Sequence, residues 1–414
     1  MNDESVDGFP AAAVRARARA GTAALFPPLG SYGRELFGAR SAPVDGGDAL
    51  ETARLVPPVF MPERLKKLIE LGREPVFDDV CLDTGIGGFA APAPVFVSAF
   101  GSTELGSADL GLAVSAQAGR LGIPMVIGEN VVPVHGYAAT SVLLRRIRAY
   151  LDAVPDSLGG VVIQQSTEDA DAEVWNLLYS DPLTEPLLAS GRLGFELKVG
   201  QGAKPGMGGM TVVDKATAAR LNGRYPLRDV LGTEDLWLRS SSPGTFTDEI
   251  LTRQIQLMRN NFPRARVWVK LPPGRDVAGA CAIAWANGAD AVTVDGAEGG
   301  TGWAPLALLD HVGLPLAECL RRIGAPAGCL LASGRMWEGS RAVKSLALGA
   351  RAVGLGRAAL IAVDEAPDRG LIRLLEALTL EMRLLISALG RYAADALSVE
   401  DIWFSGTEGV HADR

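Results

Sequence analysis

The feature that most constrains this chain is a repeat of short apolar runs alternating with longer amphipathic stretches. The runs occupy residues 95–99, 125–128, 161–165, 195–199, 267–271, 291–295, 329–333 and 352–355. Their length and their Val, Ile and Leu content suit strands, whereas stretches such as 109–121, 141–153, 276–287 and 338–348 carry apolar residues at helical spacing. A strand apolar on both faces is buried on both, which calls for helices packed outside a parallel sheet. Eight such units over residues 94–362 predict an α/β chain folded as a closed (β/α)8 TIM barrel. Residues 236–239 form a further apolar run that would suit an open, doubly wound sheet. Their surroundings are rich in Gly, Pro and Ser, so the run is assigned to an excursion over 200–255. It leaves the barrel after the fourth strand, at the end where this fold places its sites.

Outside the barrel, residues 1–93 read as an N-terminal arm packed on it. A helix within 11–24 is stopped by Pro27 and Pro28, and a second covers 62–72. Residues 363–414 read as a C-terminal extension, with a helix over 369–388, a weaker one near 391–397 and a charged tail. Glycine is abundant at 49 residues and aromatics are only 6%. That balance favours close helix-on-sheet packing and ligand sites lined by backbone.

A net charge of −8 argues against a nucleic-acid surface. The histidines His135, His311 and His411 are scattered, and Cys81, Cys281, Cys319 and Cys329 show no metal-ligand spacing, so no metal is expected. Cys281 and Cys329 stand in apolar contexts and read as buried free thiols, which suits a reducing compartment. No apolar run is long enough to span a bilayer, and the first residues lack the pattern of a secretory signal. The expectation is a cytoplasmic protein with no membrane partner. Its oligomeric state is open, a homo-oligomer included.

Chemistry concentrates at the C-terminal ends of the strands. Strand seven ends in Ser333-Gly334-Arg335 and strand eight in Gly354-Leu355-Gly356-Arg357, with a helix starting at once after the latter. Such turns present backbone N–H groups and a helix N-terminus to a phosphate. Strand six runs into Asp295-Gly296-Ala297-Glu298-Gly299-Gly300-Thr301-Gly302, too glycine-rich for a core and suited to a loop over a flat ligand. Strand five ends with Lys270, whose ammonium is placed in the barrel mouth to stabilise negative charge. The turn after strand four, Gln201 to Met210, offers one amide, one ammonium at Lys204 and several glycines.

Residues 198–209, KVGQGAKPGMGG, closely resemble the signature of the FMN-binding synthase domain of glutamate synthases. The resemblance continues in order through 97–101 (VSAFG), 128–129, 269–271, 295–302, 333–335 and 354–362 (GLGRAALIA). It implies FMN as cofactor. By that analogy the backbone around Ser98, Ala99, Phe100, Gly101 and Ser102 faces the isoalloxazine, with Gln165 and Lys270 bonded to the ring. Gly299, Gly300 and Thr301 lie beside it, and Gly334, Arg335, Gly354, Gly356 and Arg357 hold the phosphate. Gln201 and Lys204 lie over the flavin beside a small-molecule substrate, and Glu298 is a candidate proton shuttle whose alternative is a helix-cap or surface role. The chain also departs from the family. Residues 362–366 lack the cysteines of the family's [3Fe–4S] cluster, and residues 1–93 offer no glutaminase-length region, so ammonia release from glutamine is not expected of these residues. Met207, Met210, Ala297 and Trp303 replace the family's usual residues, so a pocket more apolar than one for 2-oxoglutarate is expected. The activity implied is hydride transfer between flavin and an imine or amine carbon in a specialised pathway, with the electron donor or acceptor unassigned. The alternatives are a 2-hydroxy-acid-type FMN oxidase or dehydrogenase, and an FMN-binding subunit without chemistry of its own.

Overall fold

The computed structural model describes residues 8–32, 34–35, 48–100, 104–105, 108–128, 140–166, 172–203, 206, 210–223, 225–230, 232, 235–240, 244–301 and 304–405. Strands β1 (Val95–Phe100), β2 (Met125–Ile127), β3 (Val161–Ser166) and β4 (Leu193–Lys198) are followed by β5 (Arg266–Leu271), β6 (Ala291–Asp295), β7 (Leu330–Ser333) and β8 (Ala352–Leu355). Each pairs in parallel with the next, and β8 returns to β1, closing the barrel. The helices α1 (Leu110–Leu121), α2 (Thr140–Leu151), α3 (Ala172–Ser180) and α4 (Asp248–Asn261) follow strands one to four. After strands five to eight come α5 (Val277–Ala286), α6 (Leu316–Ile323), α7 (Gly339–Ala347) and α8 (Arg357–Glu365). The eight expected runs are the eight barrel strands, with ends shifted by at most two residues.

Alternation along each strand divides the apolar residues into two cores. Val95 and Val97 of β1 point outward into the helix layer, while Phe96 joins Val126, Val162, Trp268, Ala291, Leu331 and Ala352 inside the barrel. The lower opening is plugged by an antiparallel hairpin of Thr84–Ile86 and Phe89–Ala91, whose Ile86, Phe89 and Ala91 are buried among those residues. Trp268 is the centre of this floor. Its ring lies 5.6 Å from that of Phe89 and meets Phe96 edge-on at 6.0 Å, and its Nε1 donates to the Gly87 carbonyl at 3.0 Å.

The excursion after β4 differs from the irregular loop expected. It holds a small antiparallel sheet of Met210–Asp214, Leu236–Ser240 and Leu227–Arg228, with a helix over Lys215–Leu221. The apolar run at 236–239 is thus a strand, but outside the barrel. The expected end of the excursion at 255 is also corrected, because α4 begins at Asp248, where the Thr247 hydroxyl caps the Ile250 amide. Leu251, Ile255 and Met258 form the buried stripe of that helix, a helical spacing visible in the sequence.

The N-terminal helix Ala11–Ala20 packs on α8 and on the long helix Gly370–Ala388, where Arg15 pairs with Asp364 and Glu365 at 3.0 Å each. The weaker helix expected at 391–397 is absent apart from a turn at Ala394–Ala396. There the backbone bonds to Cys81 instead, through Cys81 N to the Tyr392 carbonyl at 3.0 Å and Ala394 N to the Cys81 carbonyl at 3.2 Å. Among the described residues no helix is long and apolar enough to cross a membrane. Cys281 is buried, as expected, with its thiol pushed up to about 12 by burial, whereas Cys329 is only half-buried.

The floor is sealed by one large side chain that neighbouring groups cannot replace. Trp268→Ala is expected to cost about 3–5 kcal/mol of stability. Urea unfolding of the two proteins checks this, and a loss below about 1 kcal/mol would show that the hairpin plug does not depend on that ring.

Candidate active site at the barrel mouth

Above the apolar floor the inward positions become polar. Glu196 of β4 is fully buried, accepts from the Gln164 amide of β3, and accepts from the Thr293 hydroxyl of β6 at 3.1 Å. Burial pushes its carboxyl above the ordinary value, against the opposing pull of Lys270. Lys270 of β5 is buried and pairs with Asp295 of β6 at 3.0 Å. The Asp295 carboxylate also accepts from the Ser333 hydroxyl of β7 and from the backbone N–H of Gly202 at 3.2 Å. One acid therefore joins the ends of β5 and β7 to the turn after β4. Gly202 is pressed so closely on the strand-six loop that a Cβ there would stand 2.2 Å from the Gly296 carbonyl. The neighbouring Gln201 amide donates to the Thr301 hydroxyl at 3.3 Å. Gln201 and Thr301, each expected at the site for a different role, are thus brought together over the mouth.

The rim beside β1 is irregular. Register shifts between Val97 and Phe100 where β1 meets β2, so the ladder is broken at Ser98 and Ala99. Ser98 is buried near Gly354, while Ala99 and Phe100 are half-buried. Gln164, not Gln165, faces the lumen with Glu196. Gln165 shares the parity of Ile163, which packs in the outer core, and its buried Oε1 has no hydrogen-bond partner.

The ends of β7 and β8 gather three guanidinium groups. Arg357 opens α8 directly after Gly356, the N-cap, which has no side-chain cap and around which a Cβ would meet only open space. Burial lowers Arg357 to about 10, and the charges of Arg335 and Arg341 add to the effect. Arg357 lies 4.4 Å over the Phe9 ring and donates to the Glu298 carbonyl at 2.6 Å. It also packs on Gly300, where any Cβ would fall 2.8 Å from its Nε. Arg335, left-handed at φ 54, points its guanidinium to Glu51 at 2.7 Å and to the Gly8 carbonyl. The side chain expected to reach a phosphate is therefore held by the N-terminal arm. Arg341, fully buried, bonds Asp48 at 2.6 Å and the Gly334 carbonyl at 3.1 Å.

The geometry commits Glu298 to the capping alternative rather than to a proton shuttle. Both its carboxylate oxygens accept from the Leu316 N–H at the start of α6, at 3.1 and 3.0 Å, and Arg341 lies 3.5 Å away. Gly101, Ser102 and Lys204 lie outside the described residues. Glu196, Asp295, Gln164 and Arg341 were missed as candidates. For Glu196 the signal was present: an acid in the middle of an apolar strand needs a buried partner.

Burial, and next the Asp48 charge, push Glu298 up to about 7 from an ordinary 4.5. At Asp48, burial opposes ionisation, but the bond to Arg341 outweighs it and holds that carboxyl low. The folded chain thus keeps a proton on Glu298 that the unfolded chain releases, so this contribution to stability falls as pH rises from 4.5 to about 7. Glu298→Gln is expected to flatten that slope, as read from urea midpoints at pH 5 and pH 7.5 (about the two ends of that window). Equal slopes in the two proteins would contradict it.

Known proteins share both sequence and fold with this chain. Residues 187–366 match the family described as the conserved region in glutamate synthase. An archaeal-type glutamate synthase [NADPH] of Dehalococcoides mccartyi is 33% identical over 188 residues, covering 42% of this chain and 36% of that protein. The archaeal glutamate synthase [NADPH] of Methanocaldococcus jannaschii is 30% identical over 210 residues, covering 42% and 38%. The chain thus spans little more than a third of the length of these relatives. A solved structure of a mandelate oxidase mutant with the monooxide FMN adduct superposes with a TM-score of 0.52 at 19% identity, covering 84% of this chain and 87% of that one. That likeness is one of fold. The family match falls on β4 to α8, the strand ends that build the mouth and the arginine cluster, and it is there that this chain is similar to the glutamate synthases.

Proposed function

We propose that this protein is a glutamate synthase-like, FMN-dependent oxidoreductase that moves a hydride between flavin and a carbon–nitrogen centre, imine or amine, of a small molecule. The observation that carries the reading is the pairing, in one barrel mouth, of an open cationic cradle at Gly356 and Arg357 with the buried ammonium of Lys270. The residues present fit the cofactor. Arg357, whose guanidinium is disfavoured by burial and by the nearby Arg335 and Arg341, is stabilised by a dianionic phosphate, and the uncapped start of α8 adds N–H donors.

When bound, FMN supplies two-electron redox chemistry by hydride exchange at its ring. The chain's own residues position and charge that site. Gly334, Gly354, Gly356 and Arg357 hold the phosphate end, and Ser98 through Phe100 form the wall beside β1. Lys270 places a buried positive charge under the ring and favours its reduced, anionic form. Gln201, held by Thr301, and Lys204 orient the substrate from the turn after β4. Met210 on that excursion makes the substrate side more apolar than a diacid pocket, which supports a specialised substrate rather than 2-oxoglutarate. A 2-hydroxy-acid chemistry is less well served, because the strand-six loop has Ala297 where a histidine base is needed.

Titration of purified protein with FMN tests the reading. About one FMN per chain is expected to bind, giving a yellow protein. Arg357→Ala is expected to weaken binding at least about tenfold, the loss of one charged bond to phosphate. Lys270→Ala is expected to lower the flavin midpoint potential while keeping the flavin bound. A colourless chain that takes up no FMN on reconstitution would overturn the proposal.

A further inference from the structure

Asp295 contacts groups from three different strand ends at the mouth and has no role in the scheme above. Its Oδ2 faces both the Lys270 ammonium at 3.0 Å and the Gly202 N–H at 3.2 Å, and its Oδ1 takes the Ser333 hydroxyl. It is buried, as is Lys270, so their ion pair is shielded from water. A second acid, Glu196, acts on the same lysine, but it already has neutral donors in Gln164 and Thr293. Two carboxylates cannot both be neutralised by one ammonium at this depth, because an unpaired buried charge is costly. Asp295 is the acid in direct contact with that ammonium. The bond to Gly202 reaches the turn that carries Gln201, and that turn touches the strand-six loop backbone to backbone.

We infer that Asp295 is a positioning residue with two simultaneous effects: its charge neutralises Lys270, and its hydrogen bond staples the Gln201 turn to the mouth. The first effect sets how strongly Lys270 favours a reduced, anionic ring. The second sets where the substrate-side amide stands. A single carboxylate thus links cofactor tuning to substrate placement. The first effect rests on the FMN reading; the second does not.

The two effects separate by substitution. Asp295→Asn keeps an acceptor for Gly202 but loses the charge, and Glu196→Gln prevents the lower acid from taking over as counter-ion. In the FMN-loaded protein, Glu196→Gln alone is expected to leave the midpoint potential unchanged. Adding Asp295→Asn to it is expected to raise the ratio of reduced to oxidised flavin at a fixed potential at least tenfold, which is about 30 mV for a two-electron couple. A merely structural role would not move the potential in this direction. In the cofactor-free protein, amide exchange over residues 199–203 is expected to quicken at least tenfold in Asp295→Ala and to stay near wild type in Asp295→Asn. Should Asp295→Ala fail to fold, Asp295→Ser takes its place. No shift in the double variant, or a full shift from Glu196→Gln alone, would overturn the counter-ion role. Unchanged exchange in Asp295→Ala would overturn the staple. A wild-type chain that binds no FMN would count against the functional reading, while the exchange measurement still decides the staple.

Discussion

Closing eight parallel strands into a barrel forces every second side chain into a narrow interior that must be filled and neutral. The chain meets this in two layers. The lower half is apolar and centred on Trp268, sealed from beneath by the hairpin at 84–91. The upper half is polar, and its charges are matched across strands, Lys270 with Asp295 and Glu196 with Gln164 and Thr293. The floor excludes water, and the layer above it gives the mouth a fixed electrostatic character. Without the floor the ion pair would be solvated and much weaker.

The second constraint is the gathering of positive charge at the ends of β7 and β8. Arg335, Arg341 and Arg357 repel one another, and the cluster is held together from outside the barrel. Asp48, which caps the short helix Ala49–Thr52, and Glu51 within it reach Arg341 and Arg335 at 2.6 and 2.7 Å, and Lys344 donates to the Leu50 carbonyl at 2.7 Å. Phe9 lies under Arg357. The N-terminal segments thus act as a counter-charge and a wall for the cradle. This explains how three guanidiniums can be kept close together, with Arg357 left at the open start of α8. An anion arriving there meets one poised arginine rather than three competing ones.

The barrel was legible in the sequence because a doubly buried strand must be apolar on both faces, and all eight such strands kept that signature. Lys270 was legible for a related reason: a lysine closing a β-branched strand has only the mouth to point into. The staple through Asp295 was not, because it depends on three strand ends meeting in space. The role of Arg335 was misread since its glycine-flanked setting looks the same whether the guanidinium faces a phosphate or, as here, Glu51. The strands of the excursion were hidden by its many turn residues, and for Glu298 shuttle and helix cap look alike in sequence until the start of α6 is seen to fold back onto it. In the last case the distance in sequence to Leu316 conceals a contact of about one hydrogen bond's length.

The central claim is that the polar upper lumen and the arginine cradle form one continuous seat for a phosphorylated flavin. A crystal structure of the FMN-loaded chain tests it most directly. The phosphate is expected at the Gly334 and Gly356 turns, with the ring lying over Lys270 and beneath the Gln201 turn. A flavin bound elsewhere, or with its phosphate turned away from Arg357, would contradict it.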